Sequence, residues 1–503
     1  MSMYLKSQNL DIGEDNDFNI ILNRKDADTV GVKEGESLLV GFGEVELYAD
    51  ILLTDTKVQE GYIGLFEEIW EQYNIEEGTS IFVDIPQPSK SLDAISRKLM
   101  GEPLSQTDLA EVMKDIGSRK LRETEIAFFV STFFNPGFND DEIYWMTKGM
   151  AESGDKMSFR NVKNGNSIVA DKHSIGGVAG KAITPTLVPI LVCGGLIVPN
   201  TSTRAITSPA GTTDILEVVM PVALSEEKVM DTVQKTGGCM FWGGSLKLSP
   251  ADDVIINVER SLRIQEFQKV LVSIVAKKIS MDITHILIDL PYGNGSKVES
   301  PEDVRMLDRE FKKLFNKFGI KCETITRLVK GPDGRSIGPN AEIRESLKIL
   351  ERQEDRCIEV EDIVVDMAAR LFEETEVAAI GEGKEFAQEI LDRGDALRKF
   401  WEMAFVQGAT KEIHSSEIKN AQFSEDLLSN KSGIVESMDN TSLVRIARAL
   451  GNPKIKEAGI YVHKMPGEEV KKGDKLLTIY ATTEGRLAAG RSVFDIDKLY
   501  RFR

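Results

Sequence analysis

Two short runs combine side chains that could hold an anion against a reacting centre. Lys172-His173-Ser174-Ile175-Gly176-Gly177 sets a cation, an imidazole and a hydroxyl directly before a double glycine. Two glycines let the backbone turn tightly, so that its N–H groups can face an oxyanion near a helix N-terminus. The second run, Ser202-Thr203-Arg204-Ala205-Ile206-Thr207-Ser208-Pro209-Ala210-Gly211-Thr212-Thr213-Asp214-Ile215-Leu216-Glu217, carries six hydroxyl side chains, one Arg and a glycine. Hydroxyls and a guanidinium together can grip a phosphate or the hydroxyls of a sugar, and Arg does so through two parallel bonds. Each run alone has a plainer reading: a strand–helix turn with a solvated Lys, or an ordinary Ser/Thr-rich turn. A nucleotide-binding P-loop does not fit the first run. Three residues, rather than four, separate Gly176 from Gly180, and Ala182 stands where a magnesium-holding Ser or Thr belongs.

The elements that must position these runs are legible around them. Ser167-Ile168-Val169-Ala170 leads into the first and Leu196-Ile197-Val198 into the second, both apolar enough for strands buried in a parallel sheet. Thr284 to Asp289 is a third such strand, followed by the glycine loop Tyr292-Gly293-Asn294-Gly295-Ser296-Lys297. An apolar helix is expected from near Lys181, and further helices over ~301–318, ~341–353, ~361–374 and ~384–405. Sites in open α/β sheets gather at the carboxyl ends of strands, where both runs fall.

Upstream, ~90–155 reads as a helical unit. Leu109, Val112, Met113 and Ile116 share one helical face, as do Ile126, Phe129, Val130 and Phe133. Asn139 followed by Glu142 has the form of a capping box that starts a third helix. The first ~88 residues alternate short apolar runs (Ile20–Leu22, Leu38–Val40, Val45–Leu47, Ile81–Val83) with Gly and Asp turns and predict a small β-rich domain. The tail from ~425 is again rich in strand patterns. The expected domains are 1–88, 89–163 with 253–283 returning to it, 164–425 and 426–503, in line with the two to four domains that 503 residues allow.

With 62 basic against 81 acidic residues the chain carries a formal charge of −19, which disfavours nucleic acid and anionic membranes as partners. Lys and Arg clustered beside glycines therefore stand out as a local anion site. Cys193, Cys239, Cys322 and Cys357 form no C-x-x-C pair, so free thiols in a reducing compartment are expected and no metal site. The opening residues lack the basic and apolar regions of a signal peptide, and Ile183–Val198 is too short and too interrupted by Pro and Gly to span a bilayer. A cytoplasmic protein is expected.

The two runs resemble the signature loops of the thymidine and pyrimidine-nucleoside phosphorylases, Lys-His-Ser-x-Gly-Gly and Ser-x-Arg-x₇-Gly-Thr-x-Asp. The form Thr-Arg-Ala-Ile-Thr-Ser and the extra N-terminal domain are similar to the AMP phosphorylases. The resemblance implies an α/β fold of the nucleoside phosphorylase type (family II): a helical domain and a large α/β domain, flanked by a β-rich N-terminal and an α+β C-terminal domain. It implies a pentosyltransferase in which phosphate, as co-substrate and with no cofactor, cleaves a nucleoside 5′-monophosphate: AMP and phosphate give adenine and ribose 1,5-bisphosphate. Lys172, Ser174, Ser202, Arg204 and Thr212 would bind phosphate, with His173 lining the sugar side. Gly177, Thr203, Arg204, Ala205, Ile206, Thr207, Ser208 and Thr212 would contact the nucleotide, with Ser273 and Lys277 toward the base and Lys297 beside them. A homodimer or larger homo-oligomer is implied, since family members pair through the helical unit.

Three departures from the family pattern bear on activity. Val258-Glu259 stands where pyrimidine-specific members have Arg-Asp, which counts against thymidine. Gln265 occupies the position of the Asp that protonates the leaving purine, and an amide cannot give up a proton near neutral pH. Ile183 replaces a phosphate-binding Ser or Thr. Alternatives are a pyrimidine-nucleoside phosphorylase, a catalytically weak or regulatory homologue, and a carrier module in which Lys464 is modified.

Overall fold

The structure is a computed structural model that describes all residues except 1, 14–18, 44, 87–88, 163–167, 206–207, 263–265 and 294. The chain forms two compact units: residues 1–154 with 249–276, and residues 155–248 with 277–503.

The first unit opens with a closed barrel of six strands, β1 (Met3–Asn9), β2 (Asn19–Asn23), β3 (Ser37–Phe42), β4 (Val45–Thr54), β5 (Tyr62–Leu65) and β6 (Ser80–Asp84), ordered β1-β5-β2-β4-β3-β6. The alternation in the sequence is the barrel's inside–outside alternation: Ile20, Leu22, Leu38, Val40, Ile81 and Val83 are wholly buried. Two seven-residue helices, Arg24–Val30 and Glu67–Tyr73, interrupt the strands without a sequence signal. They are too short for a helical period to show.

Helices Gln106–Gly117, Glu123–Ser131 and Asp140–Glu152 match the expected helical unit, with helices Pro250–Leu262 and Phe267–Ser280 belonging to the same unit up to Ala276. The capping box is present: the Asn139 side chain accepts the Glu142 N–H at 3.0 Å, and the Glu142 carboxylate accepts the Asn139 N–H at 2.9 Å. Glu142 also accepts the Leu104 N–H (2.8 Å) and pairs with Lys98 at 2.7 Å, and both side chains of that pair are almost fully buried.

The second unit is built on parallel strands β7 (Ala170–Ser174), β8 (Val198–Ser202), β9 (Gly238–Trp242), β10 (His285–Tyr292) and β11 (Lys321–Leu328). β11, β10 and β7 pair in that order, and β8 pairs with β9. A parallel bridge from Val169 to Ile197, with the Ala170 N–H donated to the Ile197 carbonyl at 2.8 Å, joins the two ribbons. The order is therefore β9-β8-β7-β10-β11, and the chain reverses its direction of travel across the sheet at β7. The crevice between the carboxyl ends of β7 and β10 is a topological switch point, the usual ligand position in such sheets.

Helix Thr184–Cys193 starts three residues later than the expected position near Lys181, because residues 175–181 form an open loop with positive φ at Gly176, Gly177 and Gly180. The helix is buried all round, so it belongs to the core of this unit. The expected helix over ~384–405 is two, Gly383–Asp392 and Asp395–Gln407, broken at Gly394. The C-terminal region forms a four-stranded sheet (Ser336–Ile337, Gly459–Val462, Lys475–Ala481, Phe423–Leu428) and a three-stranded one, with helix Asn440–Leu450 packed in its core. Among the described residues no helix is long and apolar enough to cross a membrane.

Removing one partner of the Lys98–Glu142 pair leaves an uncompensated buried charge, at a cost of about 3–5 kcal/mol. Glu142→Ala is therefore expected to lower the denaturation midpoint, followed by intrinsic Trp fluorescence, far more than Glu125→Ala, whose carboxylate serves a partly exposed pair with Arg122. Equal shifts would contradict this account.

Candidate active site

Asp289, near the end of β10, organises the switch-point crevice. It is wholly buried. Its carboxylate accepts the Ser174 hydroxyl (2.8 Å), pairs with Lys181 (3.2 Å) and takes the Arg327 guanidinium through two bonds of 3.0 and 3.2 Å. Arg327 reaches on to Asp333 at 2.9 Å. Burial alone would raise the Asp289 pKa, but the charges of Lys181, Arg327 and Lys172 hold it well below the usual carboxylate range. Lys181 also donates to the Ser174 hydroxyl.

Lys172, on β7, is buried, and among the described residues its ammonium has no carboxylate at ion-pair distance. Burial, then the neighbouring charge of Lys181, lowers its pKa to about 8. Burial also lowers His173 well below its usual range, and Lys278, Lys172, Lys277 and Lys297 each add to the shift. The imidazole is therefore neutral at physiological pH, with four ammonium groups within electrostatic reach. Lys278 is itself neutralised: it pairs with buried Asp171 at 2.5 Å and donates to the Thr201 hydroxyl at 3.0 Å.

The glycine run brings Lys297 in. Gly177 has φ +89°, and a Cβ there would lie 2.3 Å from the Lys297 backbone nitrogen. Only glycine allows that approach. Lys172, His173, Ser174, Gly177, Lys277 and Lys297, expected at the site from sequence, thus group around the carboxyl ends of β7 and β10.

The second run lies beside them, since β8 is the neighbour of β7. Buried Asn200 donates to the Asp171 carboxylate (2.6 Å), and the Ser202 hydroxyl shares a hydrogen bond with Thr213 at 2.9 Å. Thr212 opens the short helix Thr212–Leu216. Asp214 shapes the turn by accepting the N–H groups of Ala205 and Gly211, both at 2.8 Å. Thr203 is exposed, and Ser208 donates to the Ala210 carbonyl at 2.8 Å. Arg204 is committed elsewhere than expected for a bare anion contact. Its guanidinium forks onto Glu217 (2.7 and 3.0 Å), approaches Asp214 at 3.3 Å and lies over the Trp242 ring, 5.0 Å from its centre. The Arg204 hydrogen bond, with help from Lys456, lowers the Glu217 pKa to about 2.

In the first unit the Ser273 hydroxyl donates to buried Asp252 at 2.6 Å, and Lys269 pairs with both Asp252 (3.4 Å) and Glu259 (2.5 Å). Ser273 and Lys277 stand one turn apart on helix Phe267–Ser280. Glu266 caps that helix by accepting the Gln268 and Lys269 N–H groups at 2.6 and 3.2 Å, and burial, then the charge of Glu259, raises its pKa. Ile183 is wholly buried in the apolar core and offers nothing to an anion. Gln265, Ile206 and Thr207 lie outside the described residues. Among the described residues no cluster of three or more His, Cys, Asp or Glu is arranged to hold a metal ion. Asp289, Lys181, Arg327 and Asp333 are site residues that sequence reasoning does not single out. Arg327 and Asp333 sit in no motif, and only the strand order brings them to Ser174.

Residues 92–154 match the helical bundle domain of the glycosyl transferase family, residues 166–397 its a/b domain, and residues 434–495 the pyrimidine nucleoside phosphorylase C-terminal domain. Anthranilate phosphoribosyltransferase from Thermus thermophilus superposes with a TM-score of 0.52 at 18% identity, over 63% of this chain and 100% of that one. The fold and the matched domains define a pentosyltransferase of the glycosyl transferase family. Sequence comparison narrows the class. The chain is 38% identical to AMP phosphorylase 1 of Archaeoglobus fulgidus over 93% of this chain and 92% of that protein. It is 36% identical to AMP phosphorylase of Methanosarcina barkeri (97% and 94%) and 36% identical to that of Methanocaldococcus jannaschii (96% and 95%). The chain belongs to the AMP phosphorylase family.

Lys172 is expected to titrate near pH 8, losing its charge as pH rises through that value, whereas exposed lysines stay charged to above about 10. Reductive ¹³C-methylation followed by NMR should show one dimethyl-lysine resonance titrating near 8 that is absent in Lys172→Arg. An ordinary lysine titration for that resonance would contradict the burial account.

Proposed function

We propose that this chain catalyses phosphorolysis of AMP, releasing adenine and ribose 1,5-bisphosphate. The observation that carries the reading is the set of ammonium groups around neutral His173 at the switch point, one of which, Lys297, belongs to the loop that abuts the glycine turn at Gly177. A phosphate oxygen attacks C1′ of the ribose, the bond from C1′ to the base nitrogen breaks, and the base departs with the electron pair and takes up a proton. Lys172, Ser174, Ser202 and Thr212 hold the phosphate in place, so that its charge is stabilised without solvent reorganisation as the sugar becomes cationic. A buried lysine prefers to be neutral, and a bound dianion reverses that preference. His173, uncharged, lines the sugar without repelling the cation that forms there. Arg204, oriented by Glu217, and the hydroxyls of Thr203 and Ser208 serve the 5′-phosphate side, with Ser273 and Lys277 toward the base. Phosphate is a co-substrate, no cofactor takes part, and the enzyme works in the cytoplasm as a homodimer or larger homo-oligomer.

A pyrimidine-nucleoside phosphorylase is the second reading, favoured by the match at residues 434–495. Glu259, paired with Lys269, offers no donor to a pyrimidine carbonyl. Base release measured with AMP, CMP, UMP and thymidine separates the two. AMP is expected to be consumed only when phosphate is present, and preferential cleavage of thymidine would overturn the proposal.

Proton delivery to the base is expected to limit the rate. With Gln265 at the acid position, the nearest carboxyl in sequence is Glu266, which is engaged as a helix cap. General acid catalysis is worth about 10²–10⁴ in rate. Gln265→Asp is therefore expected to raise kcat on AMP at least about tenfold, most strongly at low pH. No gain with any purine nucleotide would remove position 265 from the proton path.

A further inference from the structure

One side chain of the C-terminal region, within the match at residues 434–495, ends inside the loop system of the site. Asn440 begins the helix Asn440–Leu450 and is wholly buried. Its Oδ1 accepts the Ala179 N–H at 3.0 Å, and its Nδ2 donates to the Gly331 carbonyl at 3.2 Å. The amide thus joins the glycine loop after β7 to the loop after β11, backbone to backbone. Both loops lead back to the anion-facing groups. The Ala179 carbonyl accepts the Asp333 N–H at 3.0 Å, Asp333 holds Arg327, Arg327 holds Asp289, and Asp289 holds Ser174 and Lys181. Asn440 therefore closes a circuit of hydrogen bonds around residues 174–181.

The same two C-terminal residues, Asp439 and Asn440, also support the loop after β10. Gly295 has φ +74°, and a Cβ there would lie 2.4 Å from Asp439 Oδ1 and 2.8 Å from the Asn440 nitrogen. Two residues further on, the Lys297 backbone abuts Gly177. The Met438 N–H meanwhile donates to the Lys330 carbonyl at 2.6 Å. Residues 438–440 thus touch all three loops that converge on the crevice. A plain domain contact would need only apolar packing, whereas a buried amide with both ends committed to backbone fixes geometry.

Resting on the phosphorolysis reading, we propose that Asn440 is a positioning residue for phosphate binding: it holds the glycine loop in place beside Ser174 and Lys181, the groups its hydrogen-bond circuit reaches. Losing one of its bonds leaves a buried backbone group unpaired and loosens the loop, while the groups that act on the base are untouched. Phosphate affinity should then suffer more than turnover at saturation.

The test uses the full chain with Asn440→Ser and with Asn440→Asp, which keeps the acceptor toward Ala179 but faces a second oxygen toward Gly331. KM for phosphate is expected to rise at least about tenfold in each variant that retains the wild-type circular dichroism spectrum, with kcat within about threefold. Hydrogen exchange on the wild-type protein gives an independent readout that needs no variant: the Ala179 amide, whose acceptor is Asn440 Oδ1, should be protected as strongly as helix Asn440–Leu450. A phosphate KM within about twofold of wild type, despite a lowered melting temperature, would reduce Asn440 to a packing residue and overturn the proposal. So would a wild-type Ala179 amide that exchanges far faster than the helix. If the wild-type protein released no base from any nucleotide, the phosphorolysis reading would fail, and the exchange measurement would still judge the role of Asn440 in the loop.

Discussion

The switch-point site depends on a buried carboxylate that stays ionised. Asp289 lies in the sheet core with no exposure, where an isolated negative charge would neutralise by taking a proton. It keeps its charge because Arg327 and Lys181 are fixed against it and Ser174 donates to it. Those cations are in turn tolerated only because Asp289 and Asp333 balance them. The arrangement orients Ser174 and Lys181 toward the glycine loop and leaves Lys172, among the described residues, as a buried positive charge with no carboxylate bonded to it. Sheet topology makes this possible: β10 and β7 are neighbours, so that Asp289 pairs directly opposite Ser174 although 115 positions separate them.

The other side of the site follows a different logic. Arg204 has the side chain best shaped for bidentate phosphate contact, yet Glu217 and Asp214 already occupy its fork and Trp242 covers one face. Charge at this loop is close to balanced, and Lys456 approaches Glu217 as well. Net positive potential is thus concentrated toward β7 and β10, where Lys172, Lys277 and Lys297 all act on His173. An imidazole in such company is a weaker base than a solvated one and is held neutral.

How much of this can be read from the chain varies with the range of the interaction. Strands β7, β8 and β10 and both Gly- and hydroxyl-bearing runs are legible, because apolar runs ending in Gly, Ser and Thr are local signals. The Asn139–Glu142 box is legible for the same reason, but the burial of Glu142 against Lys98 is not, since nothing near either residue announces the other. Lys181 and Ala182 suit a helix by propensity, which puts its expected start too early. Positive φ at Gly180 and the Lys181–Asp289 pair keep residues 175–181 as loop, and the helix waits until Thr184. Arg327 and Asp333 are invisible: an Arg on a strand and an Asp in a Gly-Pro turn have solvated readings that only the sheet order overturns. Arg204 and Glu217 are both legible as members of the site run, but their pairing is not, since nothing in the run shows that its two ends meet.

The sign of the whole surface sharpens the meaning of these local charges. A chain of formal charge −19 repels anions at long range, so an anionic substrate is drawn in only where cations outnumber carboxylates within a few ångströms. At the ends of β7 and β10 the lysines are partly desolvated, and Lys172 has already lost much of its preference for a proton. Such a group is costly to keep charged when the site is empty and stabilised when a dianion arrives. On the proposed phosphorolysis, binding would be favoured by charge the fold has already assembled, and competing anions that cannot fill the glycine loop while reaching Lys172 would gain little from it. Selectivity for phosphate over other anions would rest on the fit of backbone N–H groups around Gly177, and that fit is set by how closely the loop bearing Lys297 can approach it.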